Sequence, residues 1–228
     1  MTTVSLTLDE IAALTTRALA RNGCDHANTQ ALVRTVVAAE RDGSHSHGLF
    51  RVPGYIASLR SGKVDGNASP EIRLTTPAII AVDGRNGFAP LALERGIGAL
   101  ADAARCLGVA VMRLVRSYHF AALWPEVEQL TERGLAGLAC VNYLPAVAPY
   151  GGREPIFGTN PIAFAWPRPG KPPVVVDMAT SAMAQGEIQI AARERRFVPL
   201  GTGLDCDGRP STDPSEILRG GVASVWRS

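Results

Sequence analysis

"IRLTTPAIIAVDGRNGFAPLALERGIGALADAARCLGVAVMRLV", Ile72 to Val115, is the stretch on which the fold turns. Ile72–Thr76 and Ala78–Gly84 are rich in β-branched residues and read as strands, with the turn-like Gly84-Arg-Asn-Gly87 leading out of the second. From Pro90 to about Leu107 the apolar spacing becomes helical, and Val109–Val115 reads as a strand again. Strands alternating with a helix make this an α/β protein. Inside the helix, Gly96-Ile-Gly98-Ala-Leu-Ala101 matches the G-x-G-x-x-A pattern of dinucleotide-binding turns. That motif works only where a strand turns into a helix, and here "PLALER" before it already reads as helix. Gly96, Gly98, Ala99 and Ala103 are therefore expected to allow close helix packing, and a Rossmann-type site is not expected.

Upstream of this stretch the chain reads as helical. Thr7-Leu-Asp-Glu10 has the form of a capping box, with Ile11, Leu14, Ala18 and Leu19 on one face behind it. A second helix starts near Asn28 and ends by Gly43, and Pro53 can open a third. Downstream, Pro125–Arg133 reads as a short helix, and Gly134–Tyr143, Pro161–Pro167 and Pro173–Ala179 as strands. A helix from about Gln185 to Arg195 follows. The expected architecture is a helical region over 1–70 followed by a region over 71–228 built on a mixed, largely antiparallel sheet.

Composition narrows the function. A net charge of +2 over 228 residues, without a Lys/Arg block, gives no footprint for nucleic acid or an anionic membrane. The longest uncharged run, Gly134 to Gly152, is interrupted by Asn142, Pro145 and Pro149 and does not suit a membrane-spanning helix. The N-terminal residues carry no signal-peptide pattern. Cys24, Cys106, Cys140 and Cys206 are scattered without a C-x-x-C pair, as expected of reduced thiols in a cytoplasm.

Four polar clusters stand out. "RDGSHSHGLFRVPGY", Arg41–Tyr55, gathers histidines, serines and arginines where a helix has run out. His45 and His47 in a strand would face one way and could hold zinc, but no third ligand comes with a motif. His47 can exchange a proton near neutral pH. Arg51, four residues on, would share its face in a helix and could grip a carboxylate. A solvated loop whose histidines cap the helix end is the third reading, and composition alone favours it. The second cluster is Arg116–His119 at a strand end, followed by Phe120 to Trp124. The third is "FGTNP", Phe157–Pro161. The fourth is "DMATSAMAQGE", Asp177–Glu187, where a strand leads into a helix whose backbone N–H groups suit an anion.

In this order the clusters resemble the type 2 malate/L-lactate dehydrogenase family, NAD(P)H-dependent oxidoreductases without a Rossmann fold. The resemblance rests on "DGSHSHGLFRVPGY", "SYHFAALWPEVE", "FGTNPIAFAWPRP" and "VVDMATSAMAQGEIQIAAR", and runs from about Leu8 to Asp213. "HFAALWP" and "FAWPRP" incline it towards the Δ1-piperideine-2-carboxylate/Δ1-pyrroline-2-carboxylate reductases. The resemblance implies that Ser46 is a relay serine and His47 the proton donor. Arg51 and Thr159 would contact substrate. His119, Phe120, Ala121, Ala122 and Leu123 would line the NADPH site, with Asp177, Met178, Ala179, Gln185 and Gly186. The reductases carry a histidine where this chain has Gln185. No metal is implied.

The function so implied is NADPH-dependent reduction of cyclic imino acids to L-pipecolate or L-proline, by a cytoplasmic homodimer. A 2-hydroxyacid dehydrogenase of the same fold is the alternative enzyme, and an inactive homologue serving as a binding module is the alternative from another class. After Gly221 the chain is expected to leave the family pattern, as a truncated or frameshifted product would.

Overall fold

The computed structural model describes residues 4–118 and 121–225. The chain folds as two compact units, Met1–Leu135 and Ala136–Ser228. The expected boundary after residue 70 falls inside the first.

In the first unit, α1 (Leu8–Ala20) begins with the expected capping box: the Glu10 amide donates to Thr7 Oγ1 at 3.2 Å, and the Thr7 amide donates to Glu10 Oε2 at 2.8 Å. Asp25 caps α2 (His26–Arg41) by accepting from the Asn28 amide at 2.8 Å. Two short 3-10 turns, His45–His47 and Leu49–Arg51, then lead into α3 (Val52–Arg60), with Pro53 in its first turn. Ile11, Leu19, Leu32, Val36, Val52, Tyr55 and Phe88 form the core beneath these helices. Tyr55 and Phe88 meet edge to face with ring centroids 5.3 Å apart.

The strand–helix–strand stretch folds as β1 (Glu71–Thr76), β2 (Ile79–Phe88), α4 (Ala89–Leu107) and β3 (Val111–Tyr118). β1 and β2 pair antiparallel, and β2 and β3 parallel. The Gly84–Gly87 segment is not a turn after the strand but part of β2, where the register shifts between Asp83 and Gly87. Arg85 and Asn86 take positive φ there (52° and 62°), as does Arg116 (49°) on the neighbouring strand. The Arg116 guanidinium closes this irregularity with a two-pronged ion pair to Asp83.

The two glycines of α4 divide. A Cβ at Gly96 would lie 2.5 Å from Met112 Sδ and 2.7 Å from Val82 Cγ2, so that glycine lets the helix approach the sheet. A Cβ at Gly98 would meet nothing within 4 Å, which corrects the packing role expected of it. After β3, α5 (Trp124–Thr131) completes the unit.

The second unit holds β4 (Gly137–Cys140), β5 (Val147–Ala148), β6 (Ile162–Arg168), β7 (Lys171–Met178), α6 (Gln185–Glu194), β8 (Gly203–Leu204), β9 (Pro210–Ser211), α7 (Pro214–Leu218) and β10 (Val222–Ser224). The one sheet expected is thus three. The β1-β2-β3 sheet belongs to the first unit, and β4-β6-β7 and β5-β10-β8-β9 belong to the second. β10 runs parallel to β5 and antiparallel to β8, and Val222 and Ala223 are buried with Val147, Ile188, Val198 and Ile217. Val222 and Ala223, just after Gly221, are therefore part of the core.

On β4-β6-β7, alternation puts Ala163 and Ala165 inward, both at 0% exposure, with Asp177 opposite Ala163. The other face carries Leu138, Cys140, Ile162, Phe164, Trp166, Val174, Val176 and Met178 in lateral register, and all are solvent-exposed. Leu138 is 67% and Trp166 56% exposed, so a continuous apolar sheet face is left uncovered. Among the described residues, no helix is long and apolar enough to cross a membrane.

Candidate active site

α2 ends at Arg41, and Gly43 takes positive φ (75°) as the chain turns back. Ser46 is buried at 1% exposure while His47 is half-buried beside it. The Ser46 hydroxyl lies 3.0 Å from His47 Nδ1, and the Ser44 hydroxyl 3.2 Å from the same nitrogen. His45 is exposed, and its Nδ1 sits 2.9 Å from Glu40 Oε2. The H-x-H pair is therefore not in a strand, and its two rings engage different partners. Among the described residues no group of three or more His, Cys, Asp or Glu side chains is placed to hold a metal ion.

His47 and Arg51 do not share a continuous helix face. Gly48 separates the two 3-10 turns, with φ −90° and ψ −135°, and Arg51 is the residue from which α3 starts. The Arg51 guanidinium lies 5.6 Å from the centre of the Phe50 ring, a cation–π contact. It also lies close enough to the fully buried Tyr55 for its charge to oppose the rise that burial imposes on the phenol's pKa.

Glu40, in the last turn of α2, holds this arrangement. Its Oε1 accepts the Leu49 amide at 2.7 Å while Oε2 meets His45. A carboxylate at a helix C-terminus opposes the macrodipole, and this misplaced charge was the signal in the sequence that the residue serves something outside its helix.

Of the cofactor segment expected in the first unit, His119 and Phe120 lie outside the described residues. Ala121 and Leu123 are buried and Ala122 is half-buried. Trp124, next in the chain, donates its indole N–H to Asp42 Oδ2 at 3.2 Å, which ties this segment to the end of α2 just before the histidine turn.

In the second unit, Thr159 is buried, and its carbonyl accepts both the Thr180 amide at 2.9 Å and the Thr180 hydroxyl at 3.0 Å. The third and fourth polar clusters are thereby joined. Asn160 at φ 35° turns its Oδ1 to the Tyr143 amide at 3.0 Å and braces the Thr159 loop. Asp177 and Met178 end β7, and Ala179 leads to Ser181, which bridges Val225. Gln185 and Gly186 open α6, whose N-cap Ala184 offers no side-chain oxygen to the first-turn amides.

The fold is shared with a family of dehydrogenases and reductases. The chain belongs to the malate/L-lactate dehydrogenase family, whose model matches residues 6–226. That match extends past Gly221 and, with β10 in the core, corrects the expected departure there. The chain is 47% identical over 221 residues to a Δ1-pyrroline-2-carboxylate/Δ1-piperideine-2-carboxylate reductase of Pseudomonas putida, covering 97% of this chain and 65% of that protein. The chain thus spans under two thirds of that relative's length. Its fold is similar to the crystal structure of Δ1-piperideine-2-carboxylate reductase from Pseudomonas syringae pvar. tomato, with TM-score 0.93 and 46% identity over 98% of this chain and 68% of that one. It also resembles malate dehydrogenase from Entamoeba histolytica, with TM-score 0.91 and 28% identity over 98% and 63% of the two chains.

Proposed function

We propose that this chain carries the proton-donating and carboxylate-holding machinery of an NADPH-dependent reductase of cyclic imino acids, Δ1-piperideine-2-carboxylate and Δ1-pyrroline-2-carboxylate. The observation that carries the reading is the buried Ser46 hydroxyl at His47 Nδ1, with Arg51 one 3-10 turn further on. Identity to named imino acid reductases over nearly the whole chain supports the substrate class.

Arg51 holds the substrate carboxylate and so fixes where the C=N bond lies, a positioning effect. His47 gives a proton to the imine nitrogen, and Ser46 orients the ring and relays the proton to it. NADPH, when bound, supplies the hydride that reduces the imine carbon. The residues fit such a group. The first-turn amides of α6, at Gln185 and Gly186, lack a side-chain cap and suit a phosphate. In the same unit, Asp177 to Ala179 offers small and apolar side chains alongside one carboxylate. The Gly96 run is mid-helix, which supports binding of a kind other than Rossmann.

The likeness to a malate dehydrogenase favours a second reading, reduction of a 2-ketoacid, in which His47 would protonate the carbonyl oxygen instead. A homodimer formed through the uncovered β4-β6-β7 face is proposed as the assembly, because a neutral face of this kind can pack on its own copy about a two-fold axis. A cytoplasmic location accords with four free cysteines. NADPH oxidation with Δ1-piperideine-2-carboxylate, compared with pyruvate, tests the function. Imine-dependent oxidation is expected, and oxidation with pyruvate alone would transfer the assignment to the 2-ketoacid reaction.

A further inference from the structure

We infer that Glu40 is the positioning residue that sets the separation of the proton donor His47 from the carboxylate-holding Arg51; the inference rests on the roles proposed for those two residues. The carboxylate grips the chain on both sides of Gly48, the residue dividing the two 3-10 turns. Its Oε2 meets His45 Nδ1 at 2.9 Å on the His47 side. Its Oε1 takes the Leu49 amide at 2.7 Å on the Arg51 side. The Glu40 side chain is only 14% exposed. It also forms the wall against which Gly48 packs: a Cβ there would lie 2.8 Å from Glu40 Cγ and closer still to the carboxyl group. Glycine at 48 and glutamate at 40 therefore form one device, in which the missing side chain makes room for the clamp. Glu40 itself touches no reacting atom.

The device predicts a pattern across four variants of the 228-residue chain: Glu40→Gln, Glu40→Ala, Gly48→Ala and the double Glu40→Ala/Gly48→Ala. Three readouts apply: the His47 Cε1–H chemical shift with Leu49 amide exchange by NMR, calorimetric affinity for pyrrole-2-carboxylate as a non-reducible planar carboxylate, and kcat and KM for the imine with NADPH. Glu40→Ala is expected to move the His47 resonance, speed Leu49 exchange and lower carboxylate affinity and kcat/KM by about 10- to 100-fold each. Glu40→Gln should restore all three to within about threefold, because its amide oxygen still accepts from Leu49 and its N–H can donate to His45. Gly48→Ala alone should resemble Glu40→Ala. In the Glu40→Ala background, with the wall removed, it should add no more than about twofold.

An unmoved His47 resonance with unchanged Leu49 exchange in Glu40→Ala would overturn the inference. So would a Gly48→Ala effect of equal size in both backgrounds. If the unaltered chain neither binds pyrrole-2-carboxylate nor reduces the imine, the substrate reading falls, while the His47 resonance and Leu49 exchange still decide whether Glu40 positions this turn.

Discussion

The Ser46 hydroxyl and the Nδ1 atom of His47 lie 3.0 Å apart, and Ser44 approaches the same nitrogen at 3.2 Å. Two hydroxyls at one ring nitrogen hold the imidazole's rotation, and a hydroxyl that donates there places the neutral ring's proton on Nε2. His47→Ala should lower kcat by about 10²- to 10⁴-fold, the usual worth of a general acid. Ser46→Ala should cost only about tenfold, since it removes one orienting and relaying hydroxyl while Ser44 still reaches the same nitrogen. Single-turnover NADPH oxidation measures both, and an unaffected rate in His47→Ala would remove that residue from its role.

Arg51 should act on substrate affinity. Loss of a charge-assisted, bidentate contact in Arg51→Ala should raise KM for the imine by about 10- to 100-fold. Arg51→Lys should recover only part of this, because an ammonium lacks the planar fork. A defect confined to NADPH affinity would contradict the assignment.

The uncovered apolar face of β4-β6-β7 makes a prediction about assembly. Phe164 and Trp166 sit at its centre with ring centroids 6.3 Å apart. If two copies pack through this face, light scattering will give a dimeric mass, and Phe164→Glu will convert it to monomer by burying an unpaired charge. A monomeric mass for the unaltered chain at micromolar concentration would rule the dimer out.

Asp83 links the strained bulge of β2 to β3. The Arg116 guanidinium beside it, followed by the Arg85 amide, holds its carboxyl down to about 2 from an ordinary 3.8. A carboxyl whose pKa is lowered by folding stabilises the fold fully above its unfolded value and loses that contribution as pH falls through its folded value. The difference in stability between the unaltered chain and Asp83→Asn should therefore be constant above about pH 4 and shrink between about pH 4 and 2. Denaturant titrations over this range check it, and carboxyl-carbon NMR should place the Asp83 midpoint near 2.

The two glycines of α4 should respond in opposite ways. Gly96→Ala forces a methyl against Met112 and Val82 and should destabilise by about 1–3 kcal/mol. Gly98→Ala meets no neighbour and should stabilise by about 0.5–1 kcal/mol through helix propensity alone. Thermal melts of the two variants settle the contrast.

The sequence by itself determined what depends on near neighbours. The capping box at Thr7 and Glu10 is legible because its partners are three residues apart. The strand and helix periods of Ile72–Val115 were enough for the α/β class, and the ordered motifs were enough for the family. The histidine turn could be located but not shaped: whether Arg51 shares a face with His47 depends on Gly48, which packs against the Glu40 side chain from the preceding helix.

Only the tertiary structure decided contacts between residues distant along the chain. Glu40 reaches Leu49 nine residues on, Thr180 reaches Thr159 across 21, and Arg116 reaches Asp83 across 33. It also divided the expected sheet into three and showed that only one side of the Val174–Met178 run is covered. The physical reason is that an apolar side chain or a charged group carries the same local signal whichever partner it finds. Which partner that is, and which face is left bare, is fixed by packing between segments.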